Sequence, residues 1–296
     1  MTLKSKAGDK VFGTILLLPS ILIVGGFIFL PVVQSVFYSF FNFKLTRKKM
    51  PLVWNNFDNY RSLIESGKLQ NAFAITFQFM ILVVLVVFLM GLIMSLFMNR
   101  GSSGERLTRT LTLLPWGTPT VIVALLWSWM FQAEYGVVNF ILMKLHFISE
   151  PMGFLVNPDT ALASVGVAAI WRQLPFMFIM LLAGLQGIPS EMYEAAHIDG
   201  ASWLQSFRHI TLPFLRNVIR SSILVTIITN FKQFPLFWTM TGGGPMDRTE
   251  TLAILTYKNA FVNLNFGVGA AVAASWMVVL IAFSLLYNRI FKEAEY

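Results

Sequence analysis

The sequence contains no cysteine and little charge. Without cysteine, neither a disulfide framework nor a thiolate metal site is possible. Only 12% of the 296 residues are charged, against about 25% in a typical soluble domain, whereas 56% are hydrophobic and 28 are phenylalanine. A soluble fold of this length has too little interior to bury so much apolar surface. Lipid is therefore expected to be the solvent for much of the chain.

Acidic residues are missing from the middle of every long apolar run. Those nearest to the runs, Glu134 and Asp159, stand at their ends. Carriers driven by protons or sodium commonly place a carboxylate at membrane depth. The sequence also lacks the G-x-x-x-x-G-K-[ST] loop that cradles the phosphates of ATP. We therefore expect no enzyme activity and no cofactor in this chain, and any transport that it performs needs an external source of energy.

Six apolar runs are long enough to cross a bilayer, since a span needs about 20 residues. They lie near 12–40, 72–98, 108–132, 160–187, 214–240 and 268–290. Each must be helical, because hydrocarbon offers backbone amides no partner. The sequence predicts an all-α membrane protein with an N-terminal arm at 1–10, a transmembrane domain at 11–290 and a tail at 291–296.

Six spans place both termini on the same side of the membrane. The net charge of +8 comes from basic residues scattered between the apolar runs, which indicates loop-directing charge rather than nucleic-acid binding. Their distribution over the whole chain gives only a weak preference for one orientation. The short basic loop with Arg100, Arg106 and Arg109 favours cytoplasmic termini.

Segment 188–213, between the fourth and fifth spans, predicts two short helices joined at Gly200. Ser190 is placed to cap the first helix. Ser202 and Gln205 have the spacing of a capping box for the second. Gly200 suits the left-handed conformation in which a helix commonly ends.

Two further features of this segment bear on its role. Pro213 predicts the end of the second helix. Ala195 and Ala196 keep the first helix thin, so that a partner surface can approach closely. The alternative interpretation is a polar connector without a partner, although a flexible linker has no need of two capped helices.

The same segment resembles the E-A-A-x-x-x-G loop of permeases in binding-protein-dependent ABC importers. The match is carried by Glu194, Ala195, Ala196 and Gly200, followed by Ile210 and Leu212-Pro213. In that family the loop is the coupling helix, which docks into a cleft on a separate ATPase. The resemblance implies that the segment faces the cytoplasm. It also implies that the coupling residues are Glu194, Ala195, Ala196, Asp199, Gly200 and Ala201.

Further motifs extend the resemblance over nearly the whole chain. They include Leu114-Pro115-Trp116, Gly136-Val-Val-Asn139, Trp171-Arg172-Gln173, Ala183 to Pro189, Thr241-Gly-Gly-Gly-Pro245 and Gly269-Ala270-Ala271. Together they look like the first permease of carbohydrate importers of the maltose and glycerol-3-phosphate type. The maltose-type member has extra N-terminal spans and a large periplasmic insertion, and this chain has neither.

The resemblance implies a particular assembly in the bacterial inner membrane. This chain would pair with a second, homologous permease, and two copies of a cytoplasmic ATPase would bind ATP and Mg. An extracytoplasmic solute-binding protein would deliver a saccharide, which crosses by alternating access. The alternative is an ion-coupled secondary transporter or channel for a polar solute.

The resemblance also implies a saccharide site near the middle of the membrane. The matching positions are Trp116, Thr120, Arg172, Gln173, Phe176, Thr226, Asn230 and Gln233. The spacing of the last three predicts that they share one helix face, and aromatic rings such as Trp116 can stack on a sugar. The alternative is that this polar stripe only holds helices together.

Two basic residues, Arg172 and Lys232, fall within predicted spans. Burial of either charge costs about 2.5–3.5 kcal/mol on the insertion scale, so each needs a partner or water. Arg172 could serve the fold, pair with the partner permease or meet an anionic saccharide. Lys232 could extend to the outer interface or share that last role. His197 and His209 are expected at a surface or interface, and no metal site is predicted.

Overall fold

The described part of the chain is mostly helical, as the long apolar runs predict. A computed structural model describes residues 3–46, 52–99 and 105–290, so the predicted tail at 291–296 and Arg100 lie outside the described residues. In chain order the elements are α1 (Leu3–Val24), α2 (Leu30–Tyr38), β1 (Phe41–Asn42), β2 (Val53–Trp54), α3 (Asp58–Glu65), α4 (Lys68–Met98), α5 (Glu105–Gly117), α6 (Thr120–Met130), α7 (Val137–Lys144), α8 (Ala161–Gln186), α9 (Ser190–Ile198), α10 (Trp203–Ser206), α11 (Leu212–Phe231), α12 (Pro235–Met240), α13 (Leu252–Tyr257) and α14 (Phe266–Ile290). Three π-helical turns occur at Gly25–Phe29, Phe207–Thr211 and Lys258–Val262.

Four of the six predicted spans are confirmed as uninterrupted apolar helices. They are Phe12–Tyr38, Lys68–Met98, Ala161–Gln186 and Phe266–Tyr287. The segment Trp203–Phe231 is the fifth apolar helix of sufficient length in the described part of the chain. The total is six spans if the bent pair α5–α6 is counted as one, which agrees with the predicted all-α polytopic fold.

Two spans differ from the prediction at proline residues. The third predicted span, 108–132, is wrong as a continuous helix, since α5 and α6 meet at a bend of 100°. Pro119 has no backbone N–H to continue the helix. The fifth predicted span is too long at its C-terminal end, because α11 ends at Phe231 and Pro235 begins the separate helix α12.

The described residues form two compact units, one comprising 3–69 with 255–290 and the other 70–254. In the first unit, α14 packs against α2 and α3, and β1 pairs antiparallel with β2. A Cβ on Gly267 would lie 2.3 Å from the carbonyl oxygen of Phe41, so only glycine permits this approach. The Asn59 side chain donates to the carbonyls of Ser39 (2.8 Å) and Phe41 (3.0 Å).

The core of the second unit lies among α4, α6, α8 and α12. Phe79 of α4 and Phe237 of α12 are fully buried and meet edge to face, with ring centroids 4.6 Å apart. Helix α8 contributes buried small residues such as Ala168 and Ala169, which let neighbouring helices pack closely. These contacts fix α8 beside α5, α6 and α11, the helices that carry the predicted site.

Candidate functional site

The segment between α8 and α11 contains the two predicted helices. Helices α9 and α10 are joined at Gly200, whose φ of +75° is left-handed. The capping box is confirmed: the Ser202 N–H donates to Gln205 Oε1 (2.7 Å), and the Gln205 N–H donates to Ser202 Oγ (3.4 Å). The predicted cap at Ser190 is wrong, because Pro189 occupies the cap position and no side chain caps α9.

The second helix also continues beyond its predicted end. Residues 207–211 form a π-helical turn that leads from α10 directly into α11, so Pro213 lies in the first turn of α11. Just before the proline, the Leu212 N–H donates to the Phe207 carbonyl, and the helix continues past Pro213 although that residue has no N–H to donate. The expected stop at Pro213 is therefore wrong, and no loop separates α10 from the membrane helix α11.

We call residues 190–206 the coupling segment, after the role that the resemblance predicts for them. It is attached to the spans by Tyr193, whose Oη hydrogen-bonds to Thr211 Oγ1 (2.9 Å) and whose ring packs against an apolar cluster of Leu185, Ile188 and Leu215. Of the six predicted coupling residues, four are exposed, whereas Ala196 and Ala201 are half-buried. Hence the segment is a fixed projection rather than a loose connector.

The two short helices enclose a groove at their junction. Its volume is about 310 Å³, and its lining residues are Ala196, Asp199, Gly200, Ala201, Gln205, Ser206, His209 and Ile210. Beside it, Ile198, Trp203 and Leu204 are 85%, 63% and 65% exposed. Large apolar side chains at this exposure, next to a groove, are typical of a surface that a protein partner covers.

The polar residues predicted at membrane depth fall into two groups. In the first, Gln173 of α8 and Asn230 of α11 exchange two hydrogen bonds, Nε2 to Oδ1 at 3.0 Å and Nδ2 to Oε1 at 2.9 Å. Asn230 Nδ2 also donates to the carbonyl of Thr226 (2.8 Å), and Thr226 Oγ1 donates to that of Ser222 (2.7 Å). All of these side chains are buried. Their contacts favour the helix-packing alternative, and a contact with sugar stays a prediction.

Gln233 does not share a helix face with Asn230, contrary to the prediction. Helix α11 ends at Phe231, Lys232 is its exposed C-cap, and the Gln233 N–H donates to the Asn230 carbonyl (3.2 Å). The Gln233 side chain is 7% exposed, and its Nε2 atom is buried without a hydrogen-bond partner within the described part of the chain. A buried amide donor in this state has the chemistry to bind an acceptor from another molecule.

The second group lies at the bend between α5 and α6. The rings of Trp116 and Phe176 are stacked, with centroids 6.4 Å apart and an interplanar angle of 21°. Arg172, one turn before Phe176 on α8, donates from Nε to the carbonyl of Thr118 at 3.5 Å. Thr120 begins α6 on the other side of the bend. Trp116 is 52% exposed, whereas Thr120, Arg172 and Phe176 are half-buried.

The structure adds residues that the sequence analysis did not select. Besides Thr118, Asn139 is 1% exposed and holds a loop together by donating to the carbonyls of Gln132 (3.0 Å) and Met152 (2.9 Å). Thr249 Oγ1 donates to the Gly244 carbonyl (2.6 Å). A Gly-x-Pro sequence signals the bend at Thr118, and Asn139 belongs to a motif of the family resemblance, but no local pattern indicates the hydrogen bonds of Asn139 and Thr249. Among the described residues, no group of three His, Asp or Glu could hold a metal ion.

These features define a class of protein, a polytopic helical membrane protein with two short, largely exposed helices between two of its spans. Residues 87–294 match the model of the family described as the inner membrane component of binding-protein-dependent transport systems, and the chain belongs to this family. It is thus a multi-pass inner-membrane protein whose transport system includes a binding protein. The resemblance inferred from the motifs is confirmed.

Individual relatives match along almost their whole length. The trehalose/maltose transport system permease protein MalF of Thermococcus litoralis is 31% identical over 291 residues, 98% of this chain and 97% of the relative. The sulfoquinovosyl glycerol transport system permease protein SmoG of Agrobacterium fabrum is 33% identical over 288 residues, 97% and 92% of the two chains. A bacterial ABC transporter involved in the import of the acidic polysaccharide alginate has the same fold, with a TM-score of 0.84, 22% identity and full coverage of both chains.

Proposed function

We propose that this chain is the permease subunit of an ATP-driven importer for a saccharide. The relatives named above are permeases for trehalose or maltose and for sulfoquinovosyl glycerol, and the transporter of the same fold imports alginate. All of these solutes are carbohydrates. Family membership adds that a binding protein presents the solute to the membrane component. An oligosaccharide delivered by an extracytoplasmic binding protein is the substrate that fits these relatives best.

The observation that carries the proposal is the geometry of the coupling segment. Its exposed apolar side chains, Ile198, Trp203 and Leu204, lie beside a groove at the glycine joint. We assign this surface to a separate ATPase, two copies of which bind ATP and Mg outside this chain. A second, homologous permease would present its own coupling segment to the other copy.

The proposed contact between the coupling segment and an ATPase also implies how the chain is oriented in the membrane. A coupling segment that meets an ATPase lies in the cytoplasm, and α8 and α11 then lead from it to the outer side of the membrane. Counting the bent pair as one span, six crossings return both termini to the cytoplasm. In this arrangement, closure of the ATPase dimer draws the coupling segments together, and the spans open the permeation path outwards.

The saccharide is expected at the bend between α5 and α6. Non-helical backbone at membrane depth is tolerated where it is covered by protein or lines a wet cavity. Trp116 presents an exposed ring at this place, and aromatic faces suit the apolar faces of sugars. The buried Gln173–Asn230 pair holds α8 against α11 behind that surface.

Transport by the assembled system in proteoliposomes tests the proposal. The system comprises both permeases, the ATPase and the binding protein, with a radiolabelled saccharide that the binding protein holds. We expect uptake to require ATP on the side of the membrane where the ATPase lies. We also expect it to continue when an ionophore removes the ion gradients. Uptake that persists without the ATPase and stops with the ionophore would instead establish the secondary-carrier alternative.

A further inference from the structure

Helix α7 exposes an apolar face to its surroundings. The exposed residues recur at the spacing of one helix face; they are Val137, Phe140, Ile141, Lys144 and, at the C-terminal cap, Leu145. The side chains of Phe140 and Leu145 are 60% and 58% exposed. A helix whose free face meets water carries polar residues there, and on α7 only the lysine is polar.

The opposite face of α7 fixes the helix against the rest of the second unit. Asn139 is buried and donates to the carbonyls of Gln132 and Met152, as described above. Val138 packs against the buried apolar core of the same unit. The apolar outer face is therefore held in its exposed position by contacts on the other side of the helix.

The chain keeps α7 close to the end of a membrane span. Six residues separate Met130, the last residue of α6, from Val137, the first residue of α7. The apolar surface is continuous between the two helices, because Tyr135 and Val137 line one groove of about 740 Å³ together with six residues of α6, among them Trp129. Tryptophan and tyrosine are typical of the level at which lipid headgroups meet acyl chains.

Lys144 supplies a positive charge at the edge of this apolar face. Its Nζ lies 5.9 Å from the centroid of the Phe140 ring, so the aliphatic part of the lysine follows the face. Within the described ranges, Lys144 has no carboxylate as an ion-pair partner. A lysine in such a place keeps its stem among acyl chains and extends its ammonium to the lipid phosphates.

From these observations we propose that α7 is an interfacial helix that binds a phospholipid of the outer leaflet. Its apolar face lies about 5–10 Å deep, at the boundary between headgroups and acyl chains, and Lys144 holds the phosphate. The assignment to the outer leaflet rests on the proposed function, because one crossing by α8 separates α7 from the coupling segment.

Fluorescence quenching measures whether lipid covers this face. The chain has no cysteine, so bimane can be attached to Phe140→Cys or Leu145→Cys in the complete transporter, once its other subunits are freed of cysteine. Glu150→Cys is the control, since Glu150 is exposed in the same connection. The vesicles contain phosphatidylcholine and phosphatidylglycerol with a nitroxide on the fifth acyl carbon. We expect the two α7 labels to lose fluorescence to the nitroxide and to be protected from aqueous iodide, which should quench the control label.

Substitution of the lysine tests the contact with phosphate. Nitroxide-labelled phosphatidylglycerol, in competition with unlabelled phosphatidylcholine, measures the enrichment of the anionic lipid beside the label at Leu145→Cys. Lys144→Gln should lower this enrichment by up to about fivefold, the contribution of one lysine at an anionic surface, and Lys144→Arg should retain it. Lys68→Gln is the matched control, because it removes the same charge from another exposed lysine and should leave the enrichment unchanged. Equal enrichment in Lys144→Gln and the wild type overturns the phosphate contact.

Three quenching results overturn the interfacial helix. If iodide reaches the α7 labels as readily as the Glu150 label, the face meets water. If neither quencher reaches them, another subunit of the transporter covers the face. If protection from iodide appears only after the binding protein is added, the face belongs to that contact instead.

The side of the membrane is tested separately from the helix. In vesicles sorted so that the ATPase faces the external solution, external iodide should not reach the Glu150 label. Quenching of that label from outside contradicts the orientation given by the proposed function, whereas lipid quenching of the α7 labels in the same vesicles still supports the interfacial helix.

Discussion

Replacing Gly200 with valine should uncouple ATP hydrolysis from transport. The φ of Gly200 is +75°, and a Cβ built there has no atom within 4 Å. The substitution therefore acts through backbone strain and not through a clash. A side chain in the left-handed region costs about 1–2 kcal/mol, with β-branched residues at the unfavourable end, and this changes the equilibrium constant between the native joint and other conformations by about 5- to 30-fold.

The measurement is uptake of saccharide per ATP hydrolysed by the reconstituted transporter. We expect Gly200→Val to lower this ratio by up to that factor, while Gly200→Asn stays near wild type, because asparagine tolerates left-handed φ. Gly67 is a matched control, since its φ is +70° and a Cβ there also meets no atom within 4 Å. Gly67→Val imposes the same strain away from the coupling segment and should leave the ratio unchanged. Wild-type uptake per ATP in Gly200→Val would refute the reasoning.

Three further predictions concern stability. Asn230→Leu and Gln173→Leu each break the amide pair, and a double-mutant cycle of unfolding free energies in detergent should give an interaction energy of about 0.6 and at most about 1.7 kcal/mol; additive losses in the double variant would show that the two side chains do not interact. Gly269→Ala places a Cβ 2.8 Å from a neighbouring Cβ and should cost about 1–3 kcal/mol, whereas Gly187→Ala, with its nearest atom at 3.5 Å, should be tolerated in the same assay. Asn139→Ala removes the bonds that close loop 132–152 and should cost about 1–3 kcal/mol, with faster proteolysis inside that loop; an unchanged cleavage rate would contradict its role.

The sequence by itself determined the class of protein and the position of its coupling segment. Long apolar runs with few charges must become membrane helices, because only helices satisfy the backbone within lipid. The glycine joint at Gly200 and the capping box of Ser202 and Gln205 are equally local, since each depends on residues within a few positions of one another. For that reason the structure agrees with the prediction for both features.

Tertiary structure decided which polar side chains remain available to a solute. The spacing of Asn230 and Gln233 predicts one shared helix face, but the helix ends between them. The bonds that occupy Gln173 and Asn230 come from residues 57 positions apart in the chain, and a periodic pattern cannot reveal such a contact. Likewise, the contact between Arg172 and Thr118 depends on a bend of 100° between two helices. Packing determines which residues distant in sequence come into contact. For this reason only the folded chain shows that the side chains of Gln173 and Asn230 are paired and that Arg172 donates to the Thr118 carbonyl.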